Sequence, residues 1–172
     1  MVNQPMYLCR FLPHNAETVA AWVADDRELF WVAPSTESPL TAGKVLAWAQ
    51  GRGNPFLAYV GEDRAPIGYA ELNPLRGRKD QLWVGHVVLA PASRGLGLGV
   101  SMMRLLLQHA YDNLQAKLVS LVVFPNNRRA IRCYTTAGFK FRDEQYHKFG
   151  RFQKPHRMLH LVSTCPVPAA AR

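Results

Sequence analysis

The run Arg94-Gly95-Leu96-Gly97-Leu98-Gly99 sets three glycines between two differently patterned stretches. Leu82 to Leu89, rich in apolar and β-branched residues and closed by Pro91, predicts a buried strand. Val100, Met103, Leu106 and Leu107 then recur at helical spacing through Tyr111. A glycine turn at such a junction presents successive backbone N–H groups, and the helix dipole adds partial positive charge at the same end. That chemistry suits a diphosphate. A Walker loop does not fit, because no lysine lies between Lys79 and Lys117. A dinucleotide fingerprint fails too: counted from Gly95 or Gly97, its third glycine would fall on Val100 or Met102. No Asp or Glu lies between Asp112 and Asp143 to hold a ribose.

Further along, Asn127, Ala130 and Tyr134 are spaced i, i+3, i+7 and share one helix face, with Ile131 and Cys133 expected to turn elsewhere. With the glycine run, this block resembles the GCN5-related N-acetyltransferase (GNAT) family. Its acetyl-CoA motif, Arg/Gln-x-x-Gly-x-Gly/Ala, is matched by Arg94, Gly97 and Gly99. Its second block, Asn-x-x-Ala-x-x-x-Tyr-x-x-x-Gly-Phe, is matched by Asn127, Ala130, Tyr134, Gly138 and Phe139. Val87-Val88-Leu89-Ala90-Pro91 is similar to the strand end that precedes the turn in that family, and the matched motifs cover residues 82–141.

The resemblance implies acetyl-CoA as co-substrate, no metal, and transfer of acetyl to a primary amine by direct attack in a ternary complex. The acceptor would be a protein N-terminus or a small amine, aminoglycosides included. Val87, Val88 and Leu89 would hold the pantetheine arm, with the Leu89 N–H as oxyanion donor. Arg94, Gly95, Leu96, Gly97, Leu98, Gly99 and Val100 would surround the pyrophosphate, and Asn127 and Ala130 would line the cofactor. Tyr134 would protonate the leaving thiolate; a core tyrosine at 134 and a simple helix cap at Asn127 are the structural alternatives. The functional alternative is the same fold binding acyl-CoA as a regulatory or sensing module without turnover.

Acetyl transfer also needs a neutral amine, whereas a lysine-like amine of pKa about 10.4 is almost wholly protonated at pH 7. Relatives keep a base eleven residues before the motif arginine, here Trp83, or late in the next strand, here Val122. Both are apolar. Glu71, on the neighbouring strand, is the expected base, with His86 and a water relay as alternatives. His86 differs from Trp83 by an odd number and, without a bulge, faces away from it. Arg128, Arg129 and Arg132 either attract CoA phosphates or an acidic acceptor, or form a solvated helix face. In the family the acceptor cleft lies between the first helices and the last hairpin. That would bring Asp25, Asp26, Glu28, Trp31, Tyr146, His147, Phe149 and Phe152 near it, to hold a cationic amine or as an ordinary mixed polar surface.

These residues need a scaffold of alternating elements. Met6 to Leu12 predicts a strand, Pro13-His14-Asn15 a helix start, and Asp26 to Val32 and the segment from Thr41 two more helices. Phe56 to Val60 and Ile67 to Leu72 predict a hairpin, with Asn73 to Asp80 a polar loop. Leu118 to Phe124 predicts a strand parallel to the motif strand, followed by a helix capped by Asn126. Phe139 to Tyr146 and Arg157 to Val162 close the pattern. The expected fold is α/β, a mostly antiparallel sheet with one parallel pair and helices on both faces, as one domain over 6–164 with a disordered tail from Cys165.

At 172 residues and 48% hydrophobic, the chain suits one domain with a full core. The net charge of +9 is dispersed, without a basic block interleaved with aromatics, which argues against nucleic acid. No apolar run approaches a membrane span, and nothing resembles a signal peptide. Cys9, Cys133 and Cys165 lie far apart and form no metal or redox pair, so a cytoplasmic setting is expected, with a homodimer left open.

Overall fold

A computed structural model describes residues 5–50, 53–62 and 65–166. Among the described residues, seven strands form one sheet in the order β1-β2-β3-β4-β5-β7-β6, with β4 and β5 the parallel pair. The strands are β1 (Met6–Arg10), β2 (Asn54–Val60), β3 (Gly68–Leu75), β4 (Arg78–Leu89), β5 (Leu118–Val123), β6 (Lys140–His147) and β7 (His156–Thr164). Helices α1 (Ala16–Ala20), α2 (Asp26–Val32) and α3 (Ala42–Ala49) precede β2; α4 (Leu98–Asp112) follows β4 and α5 (Arg128–Ala137) follows β5.

Strand alternation divides the core between the two faces. Phe56 and Ala58 of β2, Ala70 and Leu72 of β3, and Leu82 and Val84 of β4 pack with Met102, Met103, Leu106 and Ala110 of α4. Leu57 and Tyr69 point the other way, onto Val19 of α1 and Val45 of α3. Val88 joins this second group, although an even-numbered residue of a regular β4 would follow Leu82 and Val84. A bulge reverses the parity: Tyr69 pairs with Val88 but Glu71 with Gly85, so His86 and Val87 together oppose Ala70. His86 takes φ of 45° there.

Two expected features are corrected. The stretch from Asn73 to Asp80 is not a loop: β3 runs to Leu75 and β4 starts at Arg78, so the hairpin turns at Arg76 and Gly77. The cap of α5 is Asn127, whose side chain accepts the Ala130 N–H, while Asn126 accepts the Trp31 indole N–H at 3.1 Å. At the C-terminal end, the Cys165 N–H still bonds to the Lys117 carbonyl, and the tail from Val167 lies outside the described residues. No helix among the described residues is long and apolar enough to cross a membrane.

Candidate active site

Pairing of β4 with β5 covers only Gln81↔Leu118 to Trp83↔Ser120, after which the strands separate. Beyond the paired segment, a cavity of about 700 Å³ is bounded by α2, the end of β4, the glycine turn and α5. Gly95 and Gly97 have φ of 77° and 78°, which an L side chain resists, so the turn needs glycine at both. Gly97 caps α4, leaving the first amides of a 15-residue helix facing the cavity end. Gly99 is needed for space: a Cβ there would lie 2.9 Å from Leu89 Cδ1 and 3.2 Å from Cys133 Sγ.

Of the residues expected to hold the cofactor, Val87, Val88, Leu89, Arg94, Gly95, Gly97, Gly99, Val100, Asn127, Ala130 and Tyr134 line this cavity. Leu96 and Leu98 do not, and Leu96 is exposed to solvent. Cys133, expected to turn away, lines it as well, as do Arg129 and Arg132. Leu89 opposes Gly68 between two hydrogen-bonded positions, the Ala90 N–H bonding to the Ile67 carbonyl at 2.9 Å. By antiparallel alternation, the Leu89 N–H is therefore directed away from β3, toward the separated β5. Tyr134 is half-buried at the opposite wall, and burial raises its phenol well above the ordinary value of 10.0.

Arg94 is held by three partners. Its Nε donates to the Leu89 carbonyl at 3.1 Å, Nη1 to Glu28 Oε1 at 2.6 Å, and Nη2 to the Trp22 carbonyl. It thus ties the end of β4 to the start of α2 as well as lining the cavity.

A second cavity, of about 260 Å³, lies beside the first, and Trp31 and Val32 line both. Its walls come from α2 and the segment after it, β4, β5 and the end of the β6–β7 hairpin. They include Trp83, Val122, Phe124, His147 and Phe149. His86 is there too, on the same side as Trp83, because the bulge overturns the facing-away expected of an unbroken strand.

Glu71 lines neither cavity; it is buried immediately behind. Its Oε1 accepts the Tyr69 hydroxyl at 2.7 Å and bonds His86 Nδ1 at 2.9 Å, while Oε2 accepts Asn73 Nδ2 at 3.2 Å. With Glu71 as acceptor, His86 Nδ1 carries the ring proton and Nε2 is left as a base. The Trp48 indole stacks on the imidazole, with centroids 4.3 Å apart and planes 8° from parallel. Burial, reinforced by the carboxylate, pushes the Tyr69 phenol far up, so it acts only as a donor to Glu71.

The acidic groups expected at the acceptor cleft are engaged elsewhere. Asp25 caps α2 through the Glu28 N–H, Asp26 accepts the Ser38 hydroxyl, and Glu28 pairs with Arg94. Tyr146 is exposed, and Phe152 packs on Phe30 and His156 rather than on the cavity. Among the described residues, no cluster of three or more His, Cys, Asp or Glu side chains is placed to hold a metal.

A strand-end cleft closed by a glycine turn and a helix N-terminus defines a site for a diphosphate-bearing ligand, and it shares Trp31 and Val32 with a second, aromatic cavity. The profile of the Acetyltransferase (GNAT) family matches residues 23–139, and the chain belongs to that family. It is 32% identical over 102 residues to an aminoglycoside N(6')-acetyltransferase type 1 of Klebsiella pneumoniae, covering 54% of this chain and 50% of that protein. It is 33% identical over 67 residues to a spermine/spermidine N(1)-acetyltransferase of Bacillus subtilis, covering 39% of this chain and 44% of that one. The chain thus spans about half the length of the curated relatives it matches. Among solved structures, the spermidine N-acetyltransferase from Vibrio cholerae in complex with CoA and spermine superposes with a TM-score of 0.75 at 13% identity, covering 92% of this chain and 95% of that one. The aminoglycoside acetyltransferase AAC(6')-Ib in complex with coenzyme A gives 0.72 at 21% identity, covering 93% and 95%. At these identities the superpositions establish the shared fold.

Proposed function

We propose that the protein moves the acetyl group of acetyl-CoA to the primary amine of a small molecule by direct attack in a ternary complex. The observation that carries this is the meeting of the two cavities at Trp31 and Val32. Leu89 and Tyr134 line the larger cavity, and His86, backed by the buried Glu71, lines the smaller. Family membership and curated relatives named for small-amine acetylation support the reading.

The larger cavity fits acetyl-CoA chemically. Gly95, Gly97 and the first amides of α4 form an anion cradle, and Arg129 and Arg132 add charge for phosphates on the α5 side. When bound there, acetyl-CoA supplies an activated thioester. His86 Nε2 accepts the proton of the attacking amine, and Glu71, hydrogen-bonded to Nδ1, orients the ring and balances the charge that develops on it. The Leu89 N–H donates to the oxygen that becomes negative as the carbon–nitrogen bond forms. Tyr134, held protonated by burial, gives its hydroxyl proton to the departing sulfur as the carbon–sulfur bond breaks and regains one from solvent, to which His86 releases the proton taken from the amine.

Thiol release from acetyl-CoA against a panel of small primary amines and N-terminal peptides tests the reading. Amine-dependent release is expected. Retained CoA binding with no release across the panel would instead indicate a sensing module, the reading that the apolar Trp83 and Val122 favour.

A further inference from the structure

We infer that the acceptor is a compact amine with an apolar or aromatic body and no second positive charge, so that polyamines and aminoglycosides are disfavoured at this site. The inference rests on the acetyltransferase reading and narrows its substrate class. At about 260 Å³ the acceptor cavity falls below the roughly 300–1,000 Å³ usual for drug-sized ligands, room for about one ring and its amine arm. Aromatic faces dominate its wall: Trp31, Trp83, Phe124 and Phe149, with the imidazoles of His86 and His147. Among the described residues, no carboxylate side chain lines it.

A polycation in such a space would leave at least one ammonium desolvated without a counter-charge. A ring face returns less than that desolvation costs. The acids on the surrounding elements, Glu37 apart, are already engaged. Glu71 is buried behind His86, Glu28 pairs with Arg94, Asp143 meets His160, and Glu144 forms a two-bond pair with Arg157. At the Trp31 edge the rim is cationic. Arg27 lies 4.6 Å over the ring of Trp31, which lines both cavities. Asp26, beside Arg27 in sequence, accepts the Ser38 hydroxyl, and Glu37, one residue past the cavity-lining Thr36, is exposed. The same rim tolerates a neutral or anionic group on the distal end of the acceptor.

The geometry assigns the orientation. The amine points to His86, which adjoins Val87 at the edge of the larger cavity, and the body lies back toward Phe149 and Met158.

The test is equilibrium binding to the CoA-saturated full chain at fixed ionic strength, read by quenching of tryptophan fluorescence, since Trp31 and Trp83 both line the cavity. Phenethylamine, spermidine and kanamycin are the probes. Phenethylamine should bind at least tenfold more tightly than either polycation. Phe149→Ala should weaken it at least fivefold, and Arg27→Glu, which reverses the charge over Trp31, should narrow the gap to spermidine. Spermidine or kanamycin binding as tightly as phenethylamine, or an unaltered phenethylamine affinity in Phe149→Ala, would overturn the inference. Thiol release followed on the same samples reads the acetyltransferase assignment separately: selective phenethylamine binding without release would sink that assignment and leave the cavity's selectivity standing.

Discussion

Exchanging Glu71 for Gln keeps the side-chain volume and alters one thing, the charge behind His86. The carboxylate accepts from Tyr69 at 2.7 Å, His86 at 2.9 Å and Asn73 at 3.2 Å, and it is 3% exposed, so solvent cannot replace a lost partner. The glutamine oxygen can keep the place of Oε1 before Tyr69 and His86, while its amide nitrogen meets the Asn73 side chain, which can present its own oxygen after a flip. A hydrogen bond to a charged group contributes about 1.5–3 kcal/mol and a neutral one about 0.5–1.5 kcal/mol. The His86 bond should therefore weaken by about 1–1.5 kcal/mol, or roughly tenfold in kcat/KM. His86→Ala, which removes the accepting nitrogen, should cost roughly 10²-fold or more. Because Glu71 touches neither cavity and acts through the imidazole, Glu71→Gln in the His86→Ala background should change little. The assay is thiol release with acetyl-CoA saturating, followed across pH, with thermal melts of each variant to confirm folding. The Glu71→Gln deficit should be largest well below the amine's pKa and fade as the amine arrives neutral. Single-variant losses that multiply in the double variant, or three superimposable pH profiles, would refute the relay and leave water to carry the proton.

Tyr134→Phe should lower turnover by roughly 10²–10⁴-fold while acetyl-CoA affinity falls much less, measured by thiol release and calorimetry. Because burial raises this phenol, it stays protonated through pH 10, and the wild-type rate should show no falling limb from Tyr134 below that point. Gly97→Val places a β-branched residue at φ 78° in open space, so the fold should survive while CoA affinity drops more than tenfold in a calorimetric titration. Unchanged affinity would remove the glycine turn from the site. Burial, with a contribution from His160, holds the His147 imidazole below its ordinary 6.5, so the unfolded chain binds the proton more readily than the native one. Stability should therefore be full above about pH 6.5 and decline as pH falls through the lowered native value, and His147→Phe should flatten that decline in melting temperatures taken from pH 7.5 to 5.

The cofactor half of the site was legible in the amino-acid sequence because its chemistry is local. A glycine turn, a helix N-terminus and the i, i+3, i+7 face of Asn127, Ala130 and Tyr134 are each defined within a dozen residues. Backbone geometry and helical period carry that information without reference to the rest of the chain. The acceptor half was not legible in the same way. Its cavity gathers α2, β4, β5 and the β6–β7 hairpin, and which side chains enter it depends on tertiary packing. The decisive case is His86. Strict alternation put it on the far side from Trp83, and a single extra residue in β4 returned it to Glu71. Nothing in Gly85-His86-Val87 announces a bulge, since the φ of 45° is imposed on a histidine rather than invited by a glycine. Glu28 follows the same logic: next to Asp25 and Asp26 in sequence it looked available to a cationic acceptor, yet it is spent on Arg94, 66 residues away. Residue type and period determined what chemistry this chain could hold. Only the packed sheet, with β4 bulged and parted from β5, decided which of those groups line the cavities, because a one-residue shift in register exchanges the two faces of a strand.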